Sequence, residues 1–109
     1  MTVAGLAAKC GLKTLTLPNG ERAIDGAYVG DLLSWVMGRA SEGNAWITIM
    51  SNVNVIAVAS LSDVSCVIFA EGVMPDEDII RLAVEKEINL LSSELPIYET
   101  AIKISGAIK

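Results

Sequence analysis

The chain has 109 residues, 52% of them apolar but only 5% aromatic, with a formal charge of -5 and no histidine. That length suits a single domain over residues 1–109, burying about two-thirds of its unfolded surface. An acidic chain without a basic cluster is no nucleic-acid binder, because neutralising phosphates takes many Lys and Arg, and the missing histidine excludes His-based triads and His-ligated metals.

The N-terminal stretch Met1-Thr-Val-Ala-Gly-Leu-Ala-Ala-Lys-Cys-Gly11 lacks the basic n-region of an export signal, and Lys9 stands where a lipoprotein signal needs a small residue. A mature cytoplasmic protein is expected. No apolar run approaches the ~20 residues of a membrane span, so no membrane partner is expected either. Thr2 can cap a short helix with Val3, Leu6, Ala7 and Cys10 on one face and Gly11 as its left-handed stop. Lys13 to Leu17 alternates like a strand and ends in the turn Pro18-Asn19-Gly20. A second extended piece covers Ala23 to Val29. Asp31 is then placed to cap a short helix with a buried stripe of Leu32, Leu33, Val36 and Met37, stopped by Gly38, and Trp35 points away from that stripe. The polar run Arg39 to Asn44 reads as a loop.

From Ala45 the pattern becomes periodic. Ala45 to Met50, Ser65 to Ala70 and Asn89 to Ser92 read as strands, the middle one apolar after its first residue. A helix from Pro75 to Glu87 turns Ile79, Ile80, Ala83 and Val84 to the core and Asp78, Arg81 and Glu85 to water. A last helix, Pro96 to Ala107, lines one face with Ile97, Ala101 and Ile104, and Glu99 can pair with Lys103 at i,i+4. Asn52 to Ser60 is ambiguous. Its β-branched residues favour a strand on propensity, but Met50-Ser51-Asn52 is a poor hairpin turn. The fourteen residues from Ser51 to Val64 suit the crossover that a parallel strand at Ser65 needs, so helix is the reading adopted. Three βα units in series imply an α/β fold: a three-layer α/β/α sandwich around a mainly parallel sheet of about four to five strands.

Few residues carry chemistry. Gly5 to Thr14 imitates a phosphate-binding P-loop, but five residues separate its glycines, Leu12 intrudes before Lys13, and no strand precedes it. Cys10 and Cys66 lack CxxC spacing and read as small buried hydrophobes. Asp76, Glu77 and Asp78 at a helix start complement the macrodipole by about 0.3–1 kcal/mol each and repel a phosphate there. A divalent cation on Glu71, Asp76 and Asp78 is the sharper alternative, although the spacing matches no Ca²⁺ loop; no metal and no cofactor is expected. In open parallel sheets, ligands sit beyond the carboxyl ends of the strands. Those ends here are Met50-Ser51-Asn52, Ala70-Glu71-Gly72 and Ser92-Ser93-Glu94, which makes Ser51, Asn52, Asn54, Glu71, Gly72, Ser92 and Ser93 candidate contacts for a small polar ligand. They include no activated nucleophile and no base poised near neutral pH, so the chain is not expected to be catalytic. Tyr28 and Tyr98 read as packing residues with a polar tip.

Gly26-Ala-Tyr-Val-Gly-Asp-Leu-Leu-Ser34 with Val36-Met-Gly38, then Ala45-Trp-Ile-Thr48, Ala70-Glu-Gly72 leading to Pro75-Asp76, Leu91-Ser-Ser93 and Tyr98-Glu-Thr-Ala101 resemble the DRTGG domain family from about Leu12 onward. The resemblance implies a fold similar to the N-terminal, non-catalytic domain of HPr kinase/phosphorylase, in a family that occurs within phosphate acetyltransferases, beside CBS modules and as short stand-alone proteins. It also exposes a departure. Where the family has Asp-Arg-Thr this chain has Ser51-Asn52-Val53, and for Thr-Gly-Gly it has Ala70-Glu71-Gly72, so only Gly72 survives. The polar strand ends and the lack of catalytic groups together point to a regulatory or small-ligand-binding domain that forms a homodimer. The alternative, in a setting the resemblance implies, is an interaction subunit of a redox system of the iron-hydrogenase type, anchored by Trp35 and Met37.

Overall fold

The computed structural model describes residues 1–108. Five strands form one sheet in the order β1-β5-β4-β3-β2: β1 (Lys13–Thr16), β2 (Ala27–Val29), β3 (Ala45–Thr48), β4 (Cys66–Phe69) and β5 (Leu90–Ser92). β2 to β5 run parallel, and β1 joins the far edge antiparallel to β5 with a bulge between Thr14 and Thr16. Every residue of β3, β4 and β5 is buried, which explains their largely apolar composition, broken only by Thr48 and Ser92 at the carboxyl ends.

Alternate side chains feed two cores. Ala45, Ile47, Cys66, Ile68 and Leu91 meet helices α1 (Val3–Cys10) and α5 (Ile97–Ile108) on one face. Trp46, Val67, Phe69 and Leu90 share the other core with residues of α2 (Leu33–Arg39), α3 (Val53–Ser62) and α4 (Glu77–Glu85). The three-layer sandwich follows directly from the period-two alternation of doubly covered strands. Asn52 to Ser60 is helical: the Asn52 side chain accepts from the Asn54 N–H at 2.9 Å, and Asp63 closes α3 in the left-handed region at φ 55°. Thr2 caps α1 and Gly11, at φ 65°, stops it, as expected. The stretch from Gly5 to Thr14 is therefore α1, its stop and the start of β1.

Several local expectations fail. Asp31 does not cap α2, whose N-cap is Leu32; its carboxylate instead accepts from the Thr48 hydroxyl at 2.7 Å and the Ile49 N–H at 3.0 Å. α2 buries only Val36, with Leu33 partly buried, leaves Leu32 and Met37 exposed, and runs through Gly38 to Arg39. The extended piece from Ala23 shrinks to β2; Ala23 forms an isolated bridge to Thr2, and its carbonyl accepts from the Ser65 hydroxyl at 2.6 Å. α4 begins after Asp76 rather than at Pro75, and Val84 faces solvent. Tyr98 is 70% exposed instead of packed, and no ion pair joins Glu99 to Lys103. The Lys103 side of α5 lies against Cys10, whose thiol approaches the Lys103 carbonyl.

Both thiols are free and buried, as read from the sequence. Burial pushes Cys66 up to about 12. An unfolded thiol ionises near 8.5, so the unfolded chain holds fewer protons than the native one above that pH. Stability should therefore fall as pH rises from about 8.5 toward the folded value, by up to about 1.4 kcal/mol per unit from this group. Urea unfolding of wild type and Cys66→Ala between those limits should show the slope in the first and a shallower one in the second.

Arg22 clamps the end of α3, donating to the Asp63 carboxylate at 2.8 Å and to the Asp63 carbonyl at 2.7 Å. The guanidinium holds the Asp63 carboxyl below its usual range. That contribution is present above the unfolded aspartate pKa near 3.9 and is lost as pH falls through the lower folded value. The pair is half exposed, so Arg22→Ala should cost about 1 kcal/mol at pH 7, and the cost should shrink in acid to what the carbonyl contact alone supplies. Denaturant titrations at neutral and strongly acid pH check this.

Candidate functional site

The carboxyl ends of β3, β4 and β5 lie side by side, because Thr48 pairs with Phe69 and Phe69 with Ser92. The stretches Ser51-Asn52-Val53 and Ala70-Glu71-Gly72 therefore follow neighbouring strand tips. After β4 the chain turns to the α4 face, and after β5 to the α5 face. Loops parting in this way leave a crevice in an open sheet.

Here the crevice is stitched. The Glu71 N–H donates to the Leu95 carbonyl at 2.8 Å and the Gly72 N–H to the Ser93 carbonyl at 2.9 Å. The Glu71 carboxylate accepts from the Ile97 N–H at 2.8 Å, so it caps α5 from the other side of the notch. Ser93 is buried and shares a 2.8 Å hydrogen bond with the Thr100 hydroxyl, while its Oγ also accepts from the Leu95 N–H. Ser92 is buried in the ladder between Lys13 and Phe69. Glu71 at φ 62° and Gly72 at φ 70° are both left-handed. A Cβ on Gly72 would meet the Glu94 carboxylate at 3.3 Å, so glycine serves both the backbone and the close approach.

Most of the candidate residues are thus committed to internal structure. Glu71, Gly72, Ser92 and Ser93 close the notch, and Asn52 caps α3. Ser51 is partly buried, and Asn54 is exposed in the first turn of α3. Glu71, Asp76 and Asp78 are not assembled as a ligand set: among the described residues no group of three Cys, Asp or Glu side chains is placed to hold a metal. Asp76 is the N-cap of α4 without a side-chain cap bond, Glu77 and Asp78 lie in the first turn, and Asp78 pairs with Arg81.

Accessible space remains on both sides of the tips: a cavity of about 160 Å³ between β1 and α5 touches Ser92 and Ser93 with Lys13 and Lys103 in its wall, and a larger groove lies beside α3. Asn54 opens onto a groove of about 290 Å³ between α3 and α4, lined by Val53, Ala57, Leu61 and Leu82 with Lys86 among the polar groups. Lys86 makes no ion pair among the described residues. Sequence reading missed this groove, but α3 carried a signal for it. The helix has no ionisable residue, and Val53, Ala57 and Leu61 repeat at i, i+4 and i+8 opposite the buried Val55, Ile56 and Ala59. Leu61 is 73% exposed in consequence.

The DRTGG domain profile matches residues 22–107. The chain belongs to the DRTGG domain family. No curated protein matches its sequence. Among solved structures, it is similar to the CBS and DRTGG domains of the regulatory region of Clostridium perfringens pyrophosphatase, complexed there with the activator diadenosine tetraphosphate. The likeness has a TM-score of 0.71 at 16% identity, covering 94% of this chain and 45% of that one. The chain thus spans less than half the length of that regulatory region and shares its DRTGG-type fold. In this DRTGG domain Asn52 caps α3 and Glu71 caps α5.

Glu71→Ala should remove the α5 cap and cost about 1–2 kcal/mol, with Glu71→Gln recovering part of it, as measured by equilibrium urea unfolding. A structural capping role predicts this loss in the absence of any ligand.

Proposed function

We propose that this DRTGG domain is a non-catalytic regulatory module of the cytoplasm that binds a small ligand beside the tips of β3 and β4, and that it works as a homodimer. The carrying observation is the α3–α4 groove. It offers an apolar floor for the body of a ligand, the Asn54 amide as a hydrogen-bonding group, and the Lys86 ammonium, without an ion pair among the described residues, for an anionic end. At about 290 Å³ it stands near the lower bound of small-molecule sites, which run from about 300 Å³ upward. Ser51 and Asn52 border the groove's entrance by position in the chain. The family's presence in a regulatory region complexed with a nucleotide activator makes nucleotides the first ligand class to try.

A second reading rests on a different surface. Trp35 is 53% exposed, with Arg39 stacked over its ring at 3.9 Å, and Leu32 and Met37 are exposed on the same short helix or its cap. Exposed aromatic, Met and Arg side chains are common anchors for protein partners, which supports an assembly subunit, including one serving a redox enzyme.

A thermal-shift screen with nucleotides, acyl phosphates and divalent ions separates these. A ligand at one hundred times its Kd should stabilise the domain by about 2.7 kcal/mol, and Lys86→Met and Asn54→Ala should abolish that gain while leaving the ligand-free Tm near wild type. No stabilisation by any of the three classes overturns the ligand reading. Sedimentation velocity tests the dimer, and retention of dimerisation in Trp35→Ala would remove α2 from its interface.

A further inference from the structure

The edge strand β2 is left open in a way the ligand reading does not use. Gly26 accepts from the Ala45 N–H through its carbonyl, and the Gly30 N–H donates to the Ile47 carbonyl. In a parallel ladder, alternate residues face the neighbour, so Gly26, Tyr28 and Gly30 bond toward β3 while Ala27 and Val29 turn their N–H and C=O groups outward. β2 is the last strand of the sheet on this side, and those four groups have no strand to meet. Proteins usually blunt such an edge with a charged side chain, a proline or a bulge. None is present in Ala27-Tyr28-Val29.

The side chains beside this row are apolar as well. Val29 is 46% exposed. Ala27 and Val29 pair with Ala45 and Ile47 and so lie on the α5 face of the sheet, where they border a groove of about 390 Å³ floored by Ile47 and walled by Ala101, Ser105 and Ile108. An added strand would hydrogen-bond to the edge and lower alternate side chains into that groove, which is the geometry of β-augmentation.

Charge chooses the occupant. Asp25 and Asp31, both exposed, flank the strand at its two ends, Asp31 spending one carboxylate oxygen on Thr48 and Ile49 and keeping the other, and the nearest arginine in sequence, Arg22, is committed to Asp63. A second copy pairing antiparallel so that Ala27 meets Val29 would set Asp25 of each chain directly opposite Asp31 of the other. Like charges directly opposite are destabilising. We propose instead that β2 docks an extended segment of another protein, with apolar side chains at alternate positions and Lys or Arg at each end to face Asp25 and Asp31.

The probe is a synthetic peptide, Lys-Thr-Val-Thr-Val-Thr-Lys, blocked at both termini, titrated into the ¹⁵N-labelled full chain. The expected result is protection of the Ala27 and Val29 amides from hydrogen exchange and an affinity that falls as salt rises from about 20 to about 500 mM. Val29→Lys, at an exposed position, should weaken binding at least about tenfold with an otherwise native amide spectrum, and Asp25→Asn should weaken it less and flatten the salt dependence. Equal binding of the peptide with Glu at both ends, shifts confined to other residues, or no binding would each overturn the proposal. So would concentration-dependent protection of Ala27 and Val29 without peptide, which would mean that a second copy is the occupant.

Discussion

Three parallel strands buried on both faces oblige the chain to satisfy backbone polar groups at both ends of the sheet without free access to water. An unpaired buried carbonyl or N–H costs about as much as several good packing contacts gain, so the ends of β3, β4 and β5 dictate which polar residues can stand there. At the amino ends, the Asn89 amide donates to the Asn19 and Ser65 carbonyls at 2.8 and 2.9 Å and accepts from the Asn19 N–H. Asn44 bridges the Ser41 N–H and the Asp25 carbonyl, and the Ser65 hydroxyl lies between the Ala23 and Gly43 carbonyls. At the carboxyl ends, Asp31 with Thr48 and Ser93 with Thr100 perform the same work. Among the described residues, no buried side-chain nitrogen or oxygen is left without a partner.

This requirement explains why the tips of β4 and β5 differ from a ligand cradle. A site needs polar groups with spare bonding capacity, whereas Glu71 and Ser93 have theirs filled from within. Glu71 holds a left-handed conformation that costs a non-glycine residue, and the α5 cap supplies a compensating interaction. The functional space moves outward to helices that the sheet does not need for its own closure. α3 is where this shows, since its inner face completes the core with Val55, Ile56 and Ala59 while its outer face remains apolar and uncharged.

Much of the fold was legible in the residues. Mostly apolar runs at Ala45–Thr48 and Cys66–Phe69 announced doubly covered strands, and Thr2 and Gly11 marked helix ends by local chemistry that tertiary context did not override. The crossover length between β3 and β4 outweighed the β-propensity of Val53 to Val58, because a parallel neighbour leaves no room for a hairpin. Legibility failed where a side chain had a competing distant partner. Asp31 looked like a cap, yet Thr48 and Ile49 reach it first, and Glu71 looked like a site carboxylate although Ile97, far along the chain, claims it. Lys86 escaped notice because nothing in a charged helix distinguishes the cation that ends beside a groove from those that end in solvent.

The two indoles inhabit opposite environments. Trp46 is fully buried and donates to the Gly30 carbonyl at 2.9 Å, while Trp35 stands half in water beneath Arg39. Their emission spectra should separate into a blue, quencher-resistant component and a red, iodide-sensitive one. The molecule therefore carries two built-in fluorophores, one that registers loss of the β3 layer and another that registers contact at α2, without any label being attached.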